Sequence, residues 1–527
     1  MEAENMEIPG NVNGLEFSSK VNMIEVKTSR LRTSLPQIIV SLVTTLLLFD
    51  LGVSIAYPTV LISALTGLNN KTNPNELLRM TAVEASWMGS ISYLGKLVGS
   101  LICGLSCELL GHRSSMILIN FPHLVAFYLF YYSTSIWKVF VANILLGFGA
   151  GFIKAPCTTY VSETSEASIR GVLVSMTSIS LTVAPLIIFS LGNLTQWRNI
   201  ALYCSILQIV TTILLLFLPE SPMWLLSKQR DETALKALRW LRGWVPQNLV
   251  QTEYDSIKRY KANSNSCANC KKSSIECTHL SAQTTQQAIR ELIRKRTLKP
   301  FFILLVMGFV SYFSGSHHLT PYIPQILNTY RSPMSPNWAT VVVATIGMTG
   351  TFGGIVGMKV LGKRQLYLVS LSGVTLCGLI LSIYGFIYLP MNSKSFEHKN
   401  VIESESSSIP LIVCCVMRFF TTISLMVPFT MLSELFSLKS RSMATGVVVS
   451  LNNIFIFTAT KSFYNLEHWF DLPSTLGIYC AIGAIGLVVT FLILPETEGT
   501  SLEDIEIHFS DNSRKLTDRY IARQSEK

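Results

Sequence analysis

Apolar residues dominate twelve stretches of the chain, near residues 35–62, 82–106, 115–135, 138–160, 172–192, 200–218, 300–325, 338–359, 366–390, 409–433, 443–463 and 474–494. An α-helix needs about 20 such residues to cross a bilayer core, where every backbone polar group must be satisfied within its own segment. The pattern therefore predicts an all-α polytopic membrane protein with twelve transmembrane helices. Polar stretches divide it into a tail (1–34), six runs (35–218), a central linker (219–299), six more runs (300–494) and a second tail (495–527). An even number of crossings places both tails on one side. The first run begins too far along the chain for a secretory signal peptide, which marks residues 1–34 as a cytosolic tail.

Composition agrees: 49% of residues are hydrophobic and 14% charged, against roughly 25% charged in an ordinary soluble domain. A net charge of +10 would suggest nucleic acid in a soluble chain. Here the linker 219–299 alone carries fifteen Lys and Arg, and the positive-inside rule puts it and both tails in the cytosol. The sequons at Asn70 and Asn193 fall in loops assigned to the other side, so glycosylation at a plasma membrane is expected there. Eight of the eleven cysteines lie in or beside apolar runs, which is no disulfide framework. In the linker, Cys267, Cys270, Cys277 and His279 are four soft ligands whose spacing fits no standard zinc finger, and metal binding there stays open. Periodicity over 230–243 and 283–298 predicts short basic-faced helices lying against the membrane end of the bundles.

The two halves repeat each other. Gly111-His112-Arg113 after the second run is echoed by Gly362-Lys363-Arg364 after the eighth. Glu163 and Arg170 after the fourth are echoed, at the same spacing, by Glu434 and Arg441 after the tenth. Pro219-Glu220-Ser221 after the sixth matches Pro495-Glu496-Thr497 after the twelfth. Three landmarks in one order, all on one side, imply two six-helix bundles related by an axis along the membrane normal, which is an alternating-access design.

These residues carry a resemblance. Gly104-x-x-x-Glu108-x-x-Gly111-His112-Arg113, Glu163 with Arg170-Gly171, Leu218-Pro219-Glu220-Ser221-Pro222-Met223-Trp224-Leu225, Leu238-x-Trp240-Leu241-Arg242-Gly243, Ser314-Gly315, Glu434-Leu435-Phe436 and Pro495-Glu496-Thr497-Glu498-Gly499 resemble the sugar porter branch of the major facilitator superfamily. Within it they resemble the insect facilitated trehalose transporters, over about residues 35–505. The resemblance implies the major facilitator fold, and it implies that Glu108, Arg113, Glu163, Arg170, Glu220, Arg364, Glu434, Arg441 and Glu496 form a cytosolic gate that latches when the inner side shuts. An Asp that the family often has before the Gly-x-Arg turn is Glu108 in the first half and Lys359 in the second.

The implied substrate cavity departs from the family. Aligned on Ser314-Gly315, the helix-seven amides become Ser311, Tyr312 and His317; the helix-ten Trp becomes Phe429 and the helix-five Gln becomes Ser178. Tyr322, matching an outer-gate tyrosine, and Asn452 remain. The loss of amides argues against an ordinary hexose and leaves a polar, aromatic cavity. Intramembrane charge usually marks function. Asp50-Leu51-Gly52-Val53 resembles the Asp-x-Gly-Val of proton-coupled symporters, but the Arg that answers it on helix four is Asn143. Arg418 on helix ten is the expected replacement partner, as a structural pair. Lys96 and Lys154 read as structural, with stems long enough to snorkel.

No nucleophile, base and acid share a pocket, so an enzyme is not expected, nor a cofactor, a resident metal or a nucleic-acid partner. The expected function is facilitative transport across the bilayer of a small polar, sugar-like solute, a disaccharide such as trehalose or a polyol. A transporter-shaped sensor without net flux and a proton-coupled symporter of a non-hexose substrate are the alternatives.

Overall fold

The structure is a computed structural model and describes residues 30–69, 74, 76–166, 168–265, 295–314, 317–396, 406–436, 441–500, 502–510 and 521. Six long helices form the first bundle: α1 (Arg30–Leu65), α2 (Ala82–Leu110), α3 (His112–Tyr131), α4 (Ile136–Thr164), α5 (Arg170–Leu194) and α6 (Trp197–Phe217). The linker contributes α7 (Pro222–Ser227), α8 (Asp231–Leu241) and α9 (Gln247–Asn265). The second bundle holds α10 (Lys295–Phe313), α11 (Ile323–Thr329), α12 (Pro336–Leu361), α13 (Lys363–Tyr388), α14 (Ile409–Leu435), α15 (Arg441–Trp469) and α16 (Leu472–Ile493); a final helix α17 (Leu502–Ser510) follows. Ten of the described helices are long and apolar enough to cross a membrane.

The seventh crossing is not one continuous helix as the apolar run 300–325 suggested. It stops at Phe313 and resumes through a 3₁₀ turn at Thr320–Tyr322 into α11. Proline at 321 and again at 324 allows a helix to start but not to continue from before, because neither has an amide to donate. The eleventh crossing, α15, is full length but carries Asn452, Asn453, Thr458, Thr460 and Lys461 along one run. Its polarity, not its length, sets it apart from the other spans.

Packing follows the sequence repeat. In the first bundle α2 lies on α4, α1 on α5, and α3 on both α4 and α6. In the second bundle the matching pairs meet: α12 on α14, α10 on α15, and α13 on both α14 and α16. The bundles join mainly through α2 on α15 and α5 on α12. One end of the molecule, called here the linker end, carries the start of α1, helices α7–α9 and α17. There Arg242 holds Glu253 of α9 and donates to the Thr164 carbonyl at the end of α4 (3.3 Å), which ties the linker helices to the first bundle. Of the expected linker helices, 231–241 forms, α9 was not anticipated, and 283–294 lies outside the described residues together with Cys267, Cys270, Cys277 and His279. The eight described cysteines are all free.

At the opposite end, Glu76 in the α1–α2 connection accepts from Trp197 Nε1 (2.8 Å) and from the Arg198 guanidinium (3.1 Å), pinning that connection to the start of α6. Burial pushes the Glu76 carboxyl up, but the bonds from Arg198, the Leu78 amide and Trp197 outweigh it and hold its pKa below the usual carboxylate value.

Glycines set the closest approach in the first bundle. A Cβ on Gly147 of α4 would sit 2.1 Å from the Ser92 carbonyl of α2, and one on Gly151 would sit 2.1 Å from the Lys96 carbonyl. Backbone touches backbone there, which fixes the rotation of α2 and so the direction of Lys96. Gly151→Ala is expected to force α2 and α4 apart and to cost about 1–3 kcal/mol. A fall in the melting temperature of the purified protein in detergent would register it; an unchanged melting temperature would show that the contact yields freely.

Candidate functional site

The gate residues implied by the sequence come together at the linker end, within each bundle. Gly111 (φ +93°) and Gly362 (φ +78°) make the tight turns that start α3 and α13, in a backbone region that favours glycine. A Cβ at either position would also collide with a carboxylate oxygen, at 2.6 Å from Glu220 and 2.7 Å from Glu496. Each carboxylate closes a helix N-terminus. Glu220 accepts from the amides of Arg113 (3.0 Å) and Ser114 (3.3 Å), and Glu496 from those of Lys363 and Arg364 (both 3.0 Å). Negative charge at a helix N-terminus satisfies orphan donors and opposes the helix dipole. The arginines reach the other way: Arg113 donates to the carbonyls of Leu215 (2.9 Å) and Leu216 (2.7 Å) at the end of α6, and Arg364 to Phe491 (3.1 Å) at the end of α16.

A second carboxylate sits beside each staple. Glu163 accepts from Ser221 and lies 3.5 Å from His112 Nε2. Glu434 accepts from Thr497 (2.9 Å) and from Lys363 Nζ (2.8 Å), which also meets Glu498 at 2.6 Å. Sequence reasoning passed over His112 and Lys363. Their signal was a basic residue at the middle position of both Gly-x-Arg turns. Glu108 and Arg170 are exposed, and Arg170 reaches only the Ser165 carbonyl (3.2 Å). Arg441 begins α15, with its side chain outside the described ones. Among the described residues, the ion pairs at this end join groups of one half of the chain or of the linker and none crosses between the bundles.

Across the bundles the opposite end is shut. Tyr322 is fully buried; its hydroxyl lies 3.3 Å from both the Ser86 carbonyl of α2 and the Thr460 carbonyl of α15, and its ring stacks on Phe463 at 5.1 Å. Thr59 of α1 donates to the Thr320 carbonyl (3.2 Å), Ser63 bonds Asn337 (2.5 Å), and Lys461 of α15 donates to Ser86 (3.1 Å) over the Trp87 ring. Toward the linker end, contacts between the bundles thin out among the described residues, to Ser100 of α2 against Ser450 of α15 (3.2 Å) and Lys154 over Phe429. A Cβ added to Gly104 of α2, Gly171 of α5 or Gly446 of α15 would meet nothing within 4 Å.

Between these ends lies a small recess of about 10 Å³ in the second bundle, lined by Gly308, Ser311, Tyr312, Pro428, Phe429 and Asn452, among others. Five cavity positions read from the sequence can be placed by their side chains. Ser311 is turned into its own bundle, with its hydroxyl 2.9 Å from that of Tyr367. Tyr312 is buried, with its ring centroid 6.0 Å from that of His317. Asn452 is buried with its Oδ1 unpartnered, and His317 Nδ1 is likewise buried without a partner. Phe429 stays exposed to the opening. Ser178 lies on α5, its side chain outside those described. Asn193 sits in the last turn of α5, its amide donating to the Phe189 carbonyl (2.9 Å), and Asn70 lies outside the described residues.

The expected Asp50–Arg418 pair does not form. Asp50 points into its own bundle, where its Oδ2 lies 3.4 Å from His123 Nδ1 of α3, both side chains fully buried. A Cβ at Gly149 of α4 would sit 2.0 Å from His123 Nε2, so that glycine makes room for the ring. Arg418 instead donates to Thr320 Oγ1 (3.2 Å). The facing of neither side chain was legible, because a run of apolar residues on all sides hides which side turns inward. Asn143, in the position of the family's arginine, donates to the Met88 carbonyl (2.7 Å).

Removing one member of a buried polar pair leaves the other desolvated with nothing beside it. His123→Leu is therefore expected to lower the melting temperature sharply, and Asp50→Asn on that background to recover most of the loss. Additive losses in the double variant would show that the two groups do not interact.

Comparison with known proteins places this geometry. The chain matches the sugar (and other) transporter family over residues 37–509. It is 26% identical over 94% of its length to the facilitated trehalose transporter Tret1 of Apis mellifera ligustica, covering 92% of that protein. It is 28% identical over 86% of its length to the Tret1 of Polypedilum vanderplanki, covering 84% of it. Among solved structures it superposes on the partially occluded inward-open form of the xylose transporter XylE from E. coli with a TM-score of 0.65, at 18% identity, over 88% of this chain and 99% of that one. The XylE proton:xylose symporter bound to 6-bromo-6-deoxy-D-glucose gives 0.64 at 19% identity, over 90% and 99%. Two pseudo-symmetric six-helix bundles, shut together at one end and in sparser contact toward the other, are thus the frame of a multi-pass membrane transport protein rather than an enzyme, and this chain belongs to the sugar (and other) transporter family.

Proposed function

We propose that the protein carries a small, sugar-like polar solute, a disaccharide such as trehalose or a polyol, down its gradient across the plasma membrane by alternating access. The observation that carries this reading is the asymmetry of the two ends: Tyr322 and its partners close one, while contacts between the bundles thin out toward the other. The basic linker and both tails face the cytosol in this reading, by the positive-inside rule, so the structure is the inward-facing state. Asn193 then lies on the outer side, where a glycan can be attached. Relatives named as facilitated trehalose transporters support a facilitative cycle. So does the pairing of Asp50 with a histidine of its own bundle, without the helix-four arginine that accompanies the proton-coupled pattern.

The gate follows from the same state. With the inner side open, Glu163 and Glu434 are held by His112, Ser221, Lys363 and Thr497 of their own halves. On closure the linker ends of the bundles meet, and the carboxylates at Glu163 and Glu434 come within reach of Arg170 and Arg441 of the repeat, a rearrangement that favours the outward-facing state only while both signs are present. Glu434→Arg is expected to bias the protein toward inward opening. Labelling from the linker side of a cysteine placed at Phe429 should rise; equal labelling of parent and variant would reduce the repeat to a bundle staple.

Glucose is expected to be a poor substrate, since the amides and the Trp of the family's cavity are Ser311, Tyr312, His317 and Phe429 here. Each sugar hydroxyl left unpaired in a dry site costs roughly 1–3 kcal/mol. Uptake into proteoliposomes should show saturable trehalose or polyol entry without a pH gradient and little glucose entry. Saturable, stereospecific glucose uptake at low millimolar concentration would overturn the substrate reading, and no uptake of any solute by folded protein would overturn the transporter reading.

A further inference from the structure

Three cations lie deep in the described spans, and among the described residues no carboxylate pairs with them. Lys96 lies at the middle of α2, fourteen residues from either end, about 21 Å at the helical rise. It is 5% exposed, and its Nζ rests over the Tyr93 ring at 4.6 Å, so its stem does not snorkel to an interface. Lys154 of α4 lies three residues beyond Gly151, which packs on the Lys96 backbone, so the two lysines are stacked about one turn apart. Lys154 Nζ crosses from the first bundle to the second and sits 4.1 Å over the Phe429 ring, at the wall of the central recess. Arg418 enters from α14 at the level of Thr320, and both it and Lys96 act electrostatically on His317. Tyr93, Tyr312 and Ile456 pack as one cluster that joins these groups across α2, α10 and α15.

The carboxylates are elsewhere. Of those in the described spans, Glu84, Glu108, Glu163 and Glu434 lie at helix ends, and Glu467, near the end of α15, is bonded to Ser395. Asp50 alone lies deep, and it is enclosed in the first bundle against His123. None of the salt bridges among the described residues involves Lys96, Lys154 or Arg418. Cations taken out of water are costly unless paired, and a neutral polyol offers dipoles where these groups call for an anion. Two unpartnered buried polar atoms, Asn452 Oδ1 and His317 Nδ1, add hydrogen-bonding capacity beside them.

We propose that Lys96, Lys154 and Arg418 form an anion-binding path between the bundles, and that the carried solute is a small hydroxylated molecule bearing a carboxylate or a phosphate. This rests on the transporter reading and replaces its neutral solute with an anionic one. In the inward-facing state the anion displaces Phe429 from Lys154 and bonds the freed ammonium, while its hydroxyls meet Asn452 and His317. The positive groups at successive depths keep it partnered as the bundles rock.

Purified full-length protein in proteoliposomes tests this with four labelled probes: D-glucuronate, glucose 6-phosphate, D-glucose and trehalose. At least one of the two anions should enter saturably, about tenfold faster than either neutral sugar, and an inside-positive membrane potential should accelerate it. Glucuronate entry alone assigns a carboxylate, and glucose 6-phosphate entry alone a phosphate. Lys154→Gln and Arg418→Gln should each slow anion entry about tenfold, with Lys154→Arg restoring much of it, while a melting temperature in detergent equal to that of the parent reports that the variants are folded. Trehalose entry with neither anion entering nor competing would overturn the anion proposal and leave the transporter standing. Entry of none of the four by folded protein would overturn both. Anion entry indifferent to membrane potential and to all three substitutions would also overturn the assigned path.

Discussion

Two carboxylates, Glu220 and Glu496, each seated on the N-terminus of the third helix of a bundle, are the interaction on which the remaining architecture depends. Each joins the turn between its second and third helices to the end of its sixth, and an arginine two residues past the turn glycine fastens the same junction from the other side. A helix terminus at the membrane edge leaves four amides unsatisfied, and a charged acceptor supplied from a distant part of the chain both satisfies two of them and locks the register of the bundle. With both bundles held in this way, motion concentrates at the interface between them. Rocking of rigid halves is the consequence.

That interface is built unevenly. At the end away from the linker it is closed by direct side-chain to backbone bonds from Tyr322, Thr59 and Lys461, with aromatic rings filling the space. At the linker end, glycines of α2, α5 and α15 face open space. Small residues there leave room for the helices to approach in another state, and charged residues nearby are occupied within their own halves rather than committed across the gap. The state seen is thus one of two that the same surfaces can support. The contacts at the closed end are single hydrogen bonds, each worth about 0.5–1.5 kcal/mol net, and they can be given up together when a solute changes the balance.

Polarity inside the bilayer is distributed with the same economy. The one deep carboxylate is enclosed with a histidine in the first bundle, and the deep cations line the path between bundles. A membrane protein places charge at depth only where a partner or a cavity answers it. Asp50 has His123 beside it within the fold. Lys96, Lys154 and Arg418 have beside them aromatic faces, a hydroxyl and whatever passes between the bundles.

The twelve crossings, the two-fold repeat and the membership of a transport family were legible in the chain because they rest on local length and composition: an apolar run of sufficient length can only be a helix in lipid, and a Gly-x-Arg turn after the second run of each half is a landmark whatever surrounds it. Glu163, Glu220, Glu434, Glu496 and Tyr322 stood out for the same reason, as motif positions. Their partners were not. His112 and Lys363 are the middle residues of their turns, and only the approach of the fourth and tenth crossings shows that each meets a glutamate. The break after Phe313 was hidden in a continuous apolar run, since hydropathy does not register where amides lose their acceptors. Asp50 was paired with Arg418, and Lys96 and Lys154 were read as snorkelling, because rise per residue determines height along a helix but not which way a side chain points in a span that is apolar all round. Helix rotation is decided by packing, here by the backbone contact of α2 with Gly147 and Gly151, and so the sequence by itself determined how the chain crosses the membrane, while only the tertiary structure decided what its buried charges face.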